Sequence, residues 1–236
     1  WGQAWDNGLD VLLSASLYDS DGDTSITFDD FQRPSPSPAI ARHMDDENAV
    51  RLYGSATFHD LRITAAWNHR DKTVPTASFG TRFNDPQYTT HDERGYVDAA
   101  YDLELSDAGH LRARVFYDHY HYNGTYPYEV PGAPDDRVIN QDKASGRWLG
   151  SEVHFTQTLA ERHTLIAGGE FRHNLRQSQQ NFDEHPPVTY VDVNSTGDEA
   201  GLFAQADLQL WPFLELNAGL RFDSFGSGDE ALSPRA

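Results

Sequence analysis

Two stretches carry side chains able to hold a metal ion. Asp19-Ser20-Asp21-Gly22-Asp23 sets carboxylates at alternate positions, as calcium loops do. The sixth-position glycine and twelfth-position glutamate of the EF-hand are out of register. Asp19, Asp21 and Asp23 therefore read first as an acidic, solvated loop and second as a weak divalent-ion site. His119 and His121 stand two apart, so on a strand both rings share a face. Asp118 or Glu129 would add an oxygen ligand for Zn²⁺ or iron. The competing reading is a polar rim where a strand leaves a membrane. Tyr120, Tyr122, Tyr126 and Tyr128 crowd the same region, and Phe79 and Phe83 occupy a second. Such rings stack on ligands or form a girdle at a membrane interface. No Gly-x-Ser-x-Gly, phosphate loop or His-Glu-x-x-His occurs, so no catalytic residue, cofactor or enzyme activity is expected.

The elements that must position these groups are strands. Residues 214–223 alternate strictly, with Leu214, Leu216, Ala218, Leu220 and Phe222 on one face and Glu215, Asn217, Gly219, Arg221 and Asp223 on the other. The same period runs through 9–18, 49–58, 61–70, 95–105, 110–122, 146–159, 163–177 and 200–210. That makes about nine strands, each at least as long as the roughly 9–11 residues a tilted membrane strand needs. One face is apolar throughout. The other carries Arg112, Arg114, Glu170, Arg172, Arg221 and Asp223, which suit cross-strand pairs lining a watery lumen. Short turns are expected near 59, 107, 161 and 212, and long loops at 19–48, 71–92, 123–145 and 178–198. Pro34, Pro36 and Pro38 forbid a continuous strand or helix through the first loop. Long and short connections alternate, as they do at the two rims of an outer-membrane barrel.

Composition narrows the class. The formal charge of -19 argues against a nucleic-acid partner, because phosphates would be repelled. Cysteine is absent, so thiolate metal sites and disulfides are excluded. No run approaches the ~18 apolar residues of a membrane helix, a test to which barrel strands are nearly invisible. The fold expected is all-β: an antiparallel transmembrane β-barrel.

Four segments also resemble a family. Leu210-Trp211-Pro212, then Leu216-Asn217-Ala218-Gly219-Leu220-Arg221-Phe222-Asp223, then Leu232-Ser233-Pro234-Arg235 look like the mid-barrel hairpin of TonB-dependent outer-membrane receptors. The stretch from Val74-Pro75 to Asp85-Pro86 is similar to an extracellular loop of one branch of them. The resemblance implies that residues 1–236 are part of a barrel of about 22 strands, without the plug domain. It further implies energised uptake of a scarce, large ligand, such as a ferric siderophore, cobalamin or a glycan. The implied partners are the plug and TonB in the full-length protein, and lipid with lipopolysaccharide in the bacterial outer membrane. Two rivals make different predictions. A plugless outer-membrane porin would let solutes pass without energy. A soluble all-β carbohydrate-binding protein would bury the apolar rows as a core.

Overall fold

The computed structural model describes residues 1–28, 39–133, 136–226 and 228–235. The expected proline break at 33–38 lies outside these residues. The described strands are β1 (Gly2–Ala4), β2 (Leu9–Ser20), β3 (Ser25–Phe28), β4 (Ala39–Arg42), β5 (Glu47–Phe58), β6 (Leu61–Thr73), β7 (Thr89–Ser106), β8 (Gly109–Glu129), β9 (Arg137–Leu159), β10 (His163–Asp183), β11 (Val188–Trp211), β12 (Leu214–Phe225) and β13 (Glu230–Arg235). They form an 11-stranded sheet in the order β1-β2-β5-β6-β7-β8-β9-β10-β11-β12-β13. Each strand pairs antiparallel with the next, and β3 and β4 form a separate hairpin in the connection from β2 to β5. The sheet is open: among the described residues β1 and β13 each pair on one side only.

Register aligns the apolar rows into one continuous outer surface. Leu13 faces Gly54, Gly54 faces Ala65, Ala65 faces Val97, and Val97 faces Tyr117. The row continues through Leu149 to His173. Leu202 faces Phe222, and Phe222 faces Leu232. These side chains are not covered by the protein. Leu17 is 81% exposed, Leu202 65% and Val115 58%. In water, exposing a band of this extent would be costly, since each such side chain gains about 1.5–3 kcal/mol on burial. In hydrocarbon it is the favourable surface. The rows that a soluble β-domain would bury therefore point outward. Trp5, Phe58, Trp211 and Phe213 mark the turn end of the band, where amphipathic rings gather at headgroup depth.

The short turns fall where alternation places them. Phe58 pairs with Leu61, Ser106 with Gly109, Leu159 with His163, and Trp211 with Leu214. The opposite end departs from expectation. Much of 123–145 and 178–198 is strand rather than loop: β8 has 21 residues, β9 23, β10 21 and β11 24. At ~3.3 Å per residue, β9 is about 76 Å long, well over twice the ~30 Å hydrocarbon core of a membrane. Above the band both faces meet water, so the apolar–polar alternation that marks a strand disappears while the hydrogen-bonded ladder continues. The count of about nine is likewise exceeded, because β1 and β13 are too short to show a period.

Packing in the ordinary sense occurs at the loop end. Ala41, Met44, Ala49, Tyr88 and Val138 are buried there, and Pro127 is fully enclosed. The segment 74–88, with a single 3-10 turn at Ser78–Gly80, binds the strands beneath it. The Arg82 amide donates to the Pro127 carbonyl at 2.6 Å, and Arg137 pairs with Asp85 at 3.2 Å. The Asn84 side-chain oxygen accepts from the Arg42 amide at 2.8 Å, and Phe28 meets Phe83 edge to face at 6.0 Å. One loop thus joins the β3–β4 hairpin to β8 and β9.

Candidate functional site

The inner face within the band is held by charge. Arg114 donates to Asp98 on β7 and, at 2.9 Å, to Glu152 on β9. Arg94 meets Asp118 at 2.7 Å, and Arg172 meets Glu199 at 2.5 Å. Arg221 pairs with Asp223 at 2.7 Å and with Glu170 two strands away. Gly201 makes that reach possible: a Cβ there would lie 2.7 Å from Arg221 and 2.9 Å from Asp223. Glu152 faces Glu170 directly across β9 and β10. Each has its own arginine, Arg114 and Arg221, so the like charges are compensated from both sides. The expected lumenal charges do pair across strands. Arg112 is the loosest, 3.8 Å from Asp102.

Above the band the inner face turns aromatic. Tyr120, Tyr122, Tyr126 and Tyr128 occupy alternate positions of β8, on the same face as Arg114. The Tyr122 and Tyr126 hydroxyls hydrogen-bond to each other. Phe79 stands edge to face with Tyr126 at 6.2 Å and is 80% exposed. Tyr88, 5.3 Å from Tyr126, lies beneath it. The expected ligand-loop residues thus gather on one surface, except Phe83, which packs against Phe28 at its edge. Burial pushes the Tyr88 and Tyr128 phenols above their ordinary range. They stay neutral at physiological pH and present ring faces and hydroxyls, not phenolate charge.

An open cleft of about 940 Å³ adjoins this surface, lined in part by Tyr128, Asn140, Asn181, Asp183 and Tyr190. Its polar groups are linked. Asn140 donates to Asn181 at 3.0 Å and to Asp183 at 2.8 Å, and the Tyr190 hydroxyl donates to Asp183 at 2.6 Å. Such a cleft, with a few fixed polar groups, has the size of small-molecule sites. Sequence reasoning missed it, because Asn140, Asn181, Asp183 and Tyr190 lay in segments expected to be loops.

The expected metal candidates separate. Asp19 ends β2's outward row, and Asp21 and Asp23 follow in the connection, all exposed. Among the described residues they join no group with metal-ligand spacing. His119 and His121 do share the outward face of β8. Asp118 points to the other face, held by Arg94, and Glu129 is the last residue of β8. The carboxylate that meets His119 is Glu93, at 3.1 Å. Beside them His69, His91 and Glu93 form a three-ligand group that strand spacing alone did not suggest. They come from two strands, and only register brings them together.

The geometry defines a class first: a segment of transmembrane β-barrel wall, apolar outside, ion-paired inside and hooded at its loop end. The family follows from sequence. The model described as TonB dependent receptor-like, beta-barrel, matches residues 43–236, and the chain belongs to that family, whose members are receptors and transporters of the bacterial outer membrane. No curated protein matches the chain. Solved structures share its fold. The ferric-catecholate import receptor Fiu from E. coli K12, open form, is 15% identical with a TM-score of 0.66, over 95% of this chain and 41% of its own. The FpvAI–pyocin S2 complex gives 12% and 0.66, over 97% and 34%. A mutant of the ferric enterobactin receptor PfeA from Pseudomonas aeruginosa gives 14% and 0.60, over 99% and 37%. The chain therefore spans between 34% and 41% of the length of these structures, and at such identities the likeness is one of fold.

Proposed function

We propose that this chain is the ligand-capturing portion of an outer-membrane receptor that takes up a scarce, large ligand of the ferric-siderophore kind. TonB would supply the work, and the rest of the barrel and the plug would come from elsewhere in the full-length protein. The observation that carries the reading is the aromatic surface and adjoining cleft on the inner wall above the band. There, neutral tyrosines, amides and the Asp183 carboxylate converge on strands too long to serve only as membrane staves. A planar or aryl chelate would stack on Phe79 and Tyr126 and hydrogen-bond to Tyr128 and the exposed Tyr190. The relatives whose names refer to ferric catecholates support that ligand class. The ion-paired inner belt would keep the wall rigid while a plug moves against it. The acidic connections at the loop end would attract divalent cations that bridge lipopolysaccharide.

The test is uptake of a radiolabelled ferric-catecholate complex by iron-starved cells carrying the full-length protein. Accumulation should need both this protein and TonB. Tyr126→Ala and Tyr190→Ala should each raise the half-saturating concentration about tenfold, the equivalent of ~1.4 kcal/mol. Saturation-free flux that persists without TonB would sink the receptor reading in favour of a plugless channel. TonB-dependent growth on cobalamin or a glycan, without iron-chelate uptake, would keep the receptor and discard the ligand class.

A further inference from the structure

We propose a divalent transition-metal site, with Zn²⁺ as the fitting ion, on the outward face of the wall just above the apolar band. Its ligands are His69 of β6 and His91 and Glu93 of β7. The site faces away from the ligand-capture surface and does not depend on the uptake reading.

Register builds the cluster. His69 lies directly opposite Glu93, and Asp71 directly opposite His91. These four side chains thus occupy adjacent outward positions on two neighbouring strands. Asp71 holds both imidazoles, one with each carboxylate oxygen: Oδ2 lies 3.0 Å from His69 Nε2, and Oδ1 lies 2.7 Å from His91 Nδ1. A carboxylate there fixes each N–H on the nitrogen it touches. The lone pairs then fall on His69 Nδ1 and His91 Nε2, the arrangement in which an outer carboxylate orients metal-binding histidines. His69 Nδ1 is already 3.9 Å from Glu93 Oε2, and the two rings stand edge to face at 4.6 Å.

One ligand atom from each of the three residues lies within 4.8 Å of the others. Tetrahedral zinc bonds of about 2.0–2.1 Å ask for ligand atoms roughly 3.3 Å apart, so the side chains would draw together by at most about 1.5 Å to close around the ion. All three side chains are partly buried, so they are neither mobile in solvent nor sealed from it. His119 steadies Glu93 from β8 at 3.1 Å. Gly95 permits this, since a Cβ there would lie 2.5 Å from the His119 ring. Two histidines and one carboxylate leave a fourth position open, and nitrogen–oxygen donor sets of this kind suit Zn²⁺ over Mg²⁺ or Ca²⁺. Trp67, stacked on His69 at 5.6 Å, places the site next to the aromatic boundary of the membrane. A bound ion would tie β6 to β7 at headgroup height.

The experiment uses the full-length protein in detergent, without a histidine tag and stripped by chelator. Zn²⁺ is titrated calorimetrically, and Co²⁺ is added to a second sample for its visible spectrum. One equivalent of Zn²⁺ should bind at this site, and Co²⁺ should give the intense bands of four-coordinate nitrogen–oxygen ligation. His91→Ala and Glu93→Gln should abolish both signals, and Asp71→Asn should weaken binding about 10–100-fold. His173→Ala, an outward histidine on β10, should change nothing. Absence of Zn²⁺ binding by the unmodified protein overturns the proposal without appeal to any variant. So does an unchanged isotherm in Glu93→Gln, which keeps the side chain's shape and the fold.

Discussion

Asp45 joins two parts of the loop end through one carboxylate. Its Oδ1 lies 2.5 Å from Lys72 Nζ, and its Oδ2 accepts from the Asp23 amide at 3.1 Å. The Lys72 hydrogen bond, reinforced by the Asp23 amide, holds the Asp45 carboxyl below the ordinary aspartate value of 3.8. A carboxylate with a depressed pKa stabilises the fold fully above its unfolded value, and that contribution is lost as pH falls through the lowered one. Hydrogen exchange around residues 20–24, corrected for intrinsic rate, should therefore be flat from pH 7 to about 5 and accelerate below pH 4. Asp45→Asn should exchange faster already at pH 7. The sequence offered little warning of this tie, since Asp23 and Asp45 both look like ordinary members of an acidic loop. The tyrosine row was legible, because alternate positions on a strand share a face. The histidine partners were not, because Asp118 is adjacent to His119 in sequence but on the opposite side of the sheet.

At the scale of the strand, face is everything, and it follows from a period of two. Leu220 is half exposed on the outer face of β12, near mid-height between the aromatic turn at Trp211 and the loop end. Leu220→Arg should cost roughly 2–4 kcal/mol near a bilayer midplane and lower the yield of assembled protein on a heat-modifiability gel. Asn217→Arg, three residues earlier, enters the lumenal face beside Asp207, to which Asn217 already hydrogen-bonds. It should assemble normally. Equal damage from both would reject the face assignment. The period is also why strand ends were misjudged. Alternation records that one face meets lipid, so it marked β12 nearly to the residue and failed in β8 to β11, whose upper halves are wet on both sides.

For the whole molecule, the open sheet sets the terms. Unpaired backbone groups at a membrane edge cost several kcal/mol each, so β1 and β13 require further strands as neighbours. Residues 1–236 produced alone and refolded in detergent should give no compact, heat-modifiable species. They should self-associate through these edges, which light scattering would show. A compact monomer would mean that β1 and β13 meet and the wall closes on itself. The outer apolar band and the inner ion pairs are properties of the wall at any barrel size, since each depends on register with the next strand alone.

The sequence by itself determined the class of the fold, the positions of the four short turns, which side chains face lipid and which face the lumen, and the family. All of these are written in local period and short motifs. Tertiary structure decided what depends on distance across strands. It set the pairing of Arg221 with Glu170 over Gly201 and the hood that residues 74–88 form over β8 and β9. It also set the cleft between Tyr128 and Tyr190 and the meeting of His69, His91 and Glu93. The physical reason is register. A strand's alternation says which face a residue takes, but not which residue of the next strand stands beside it.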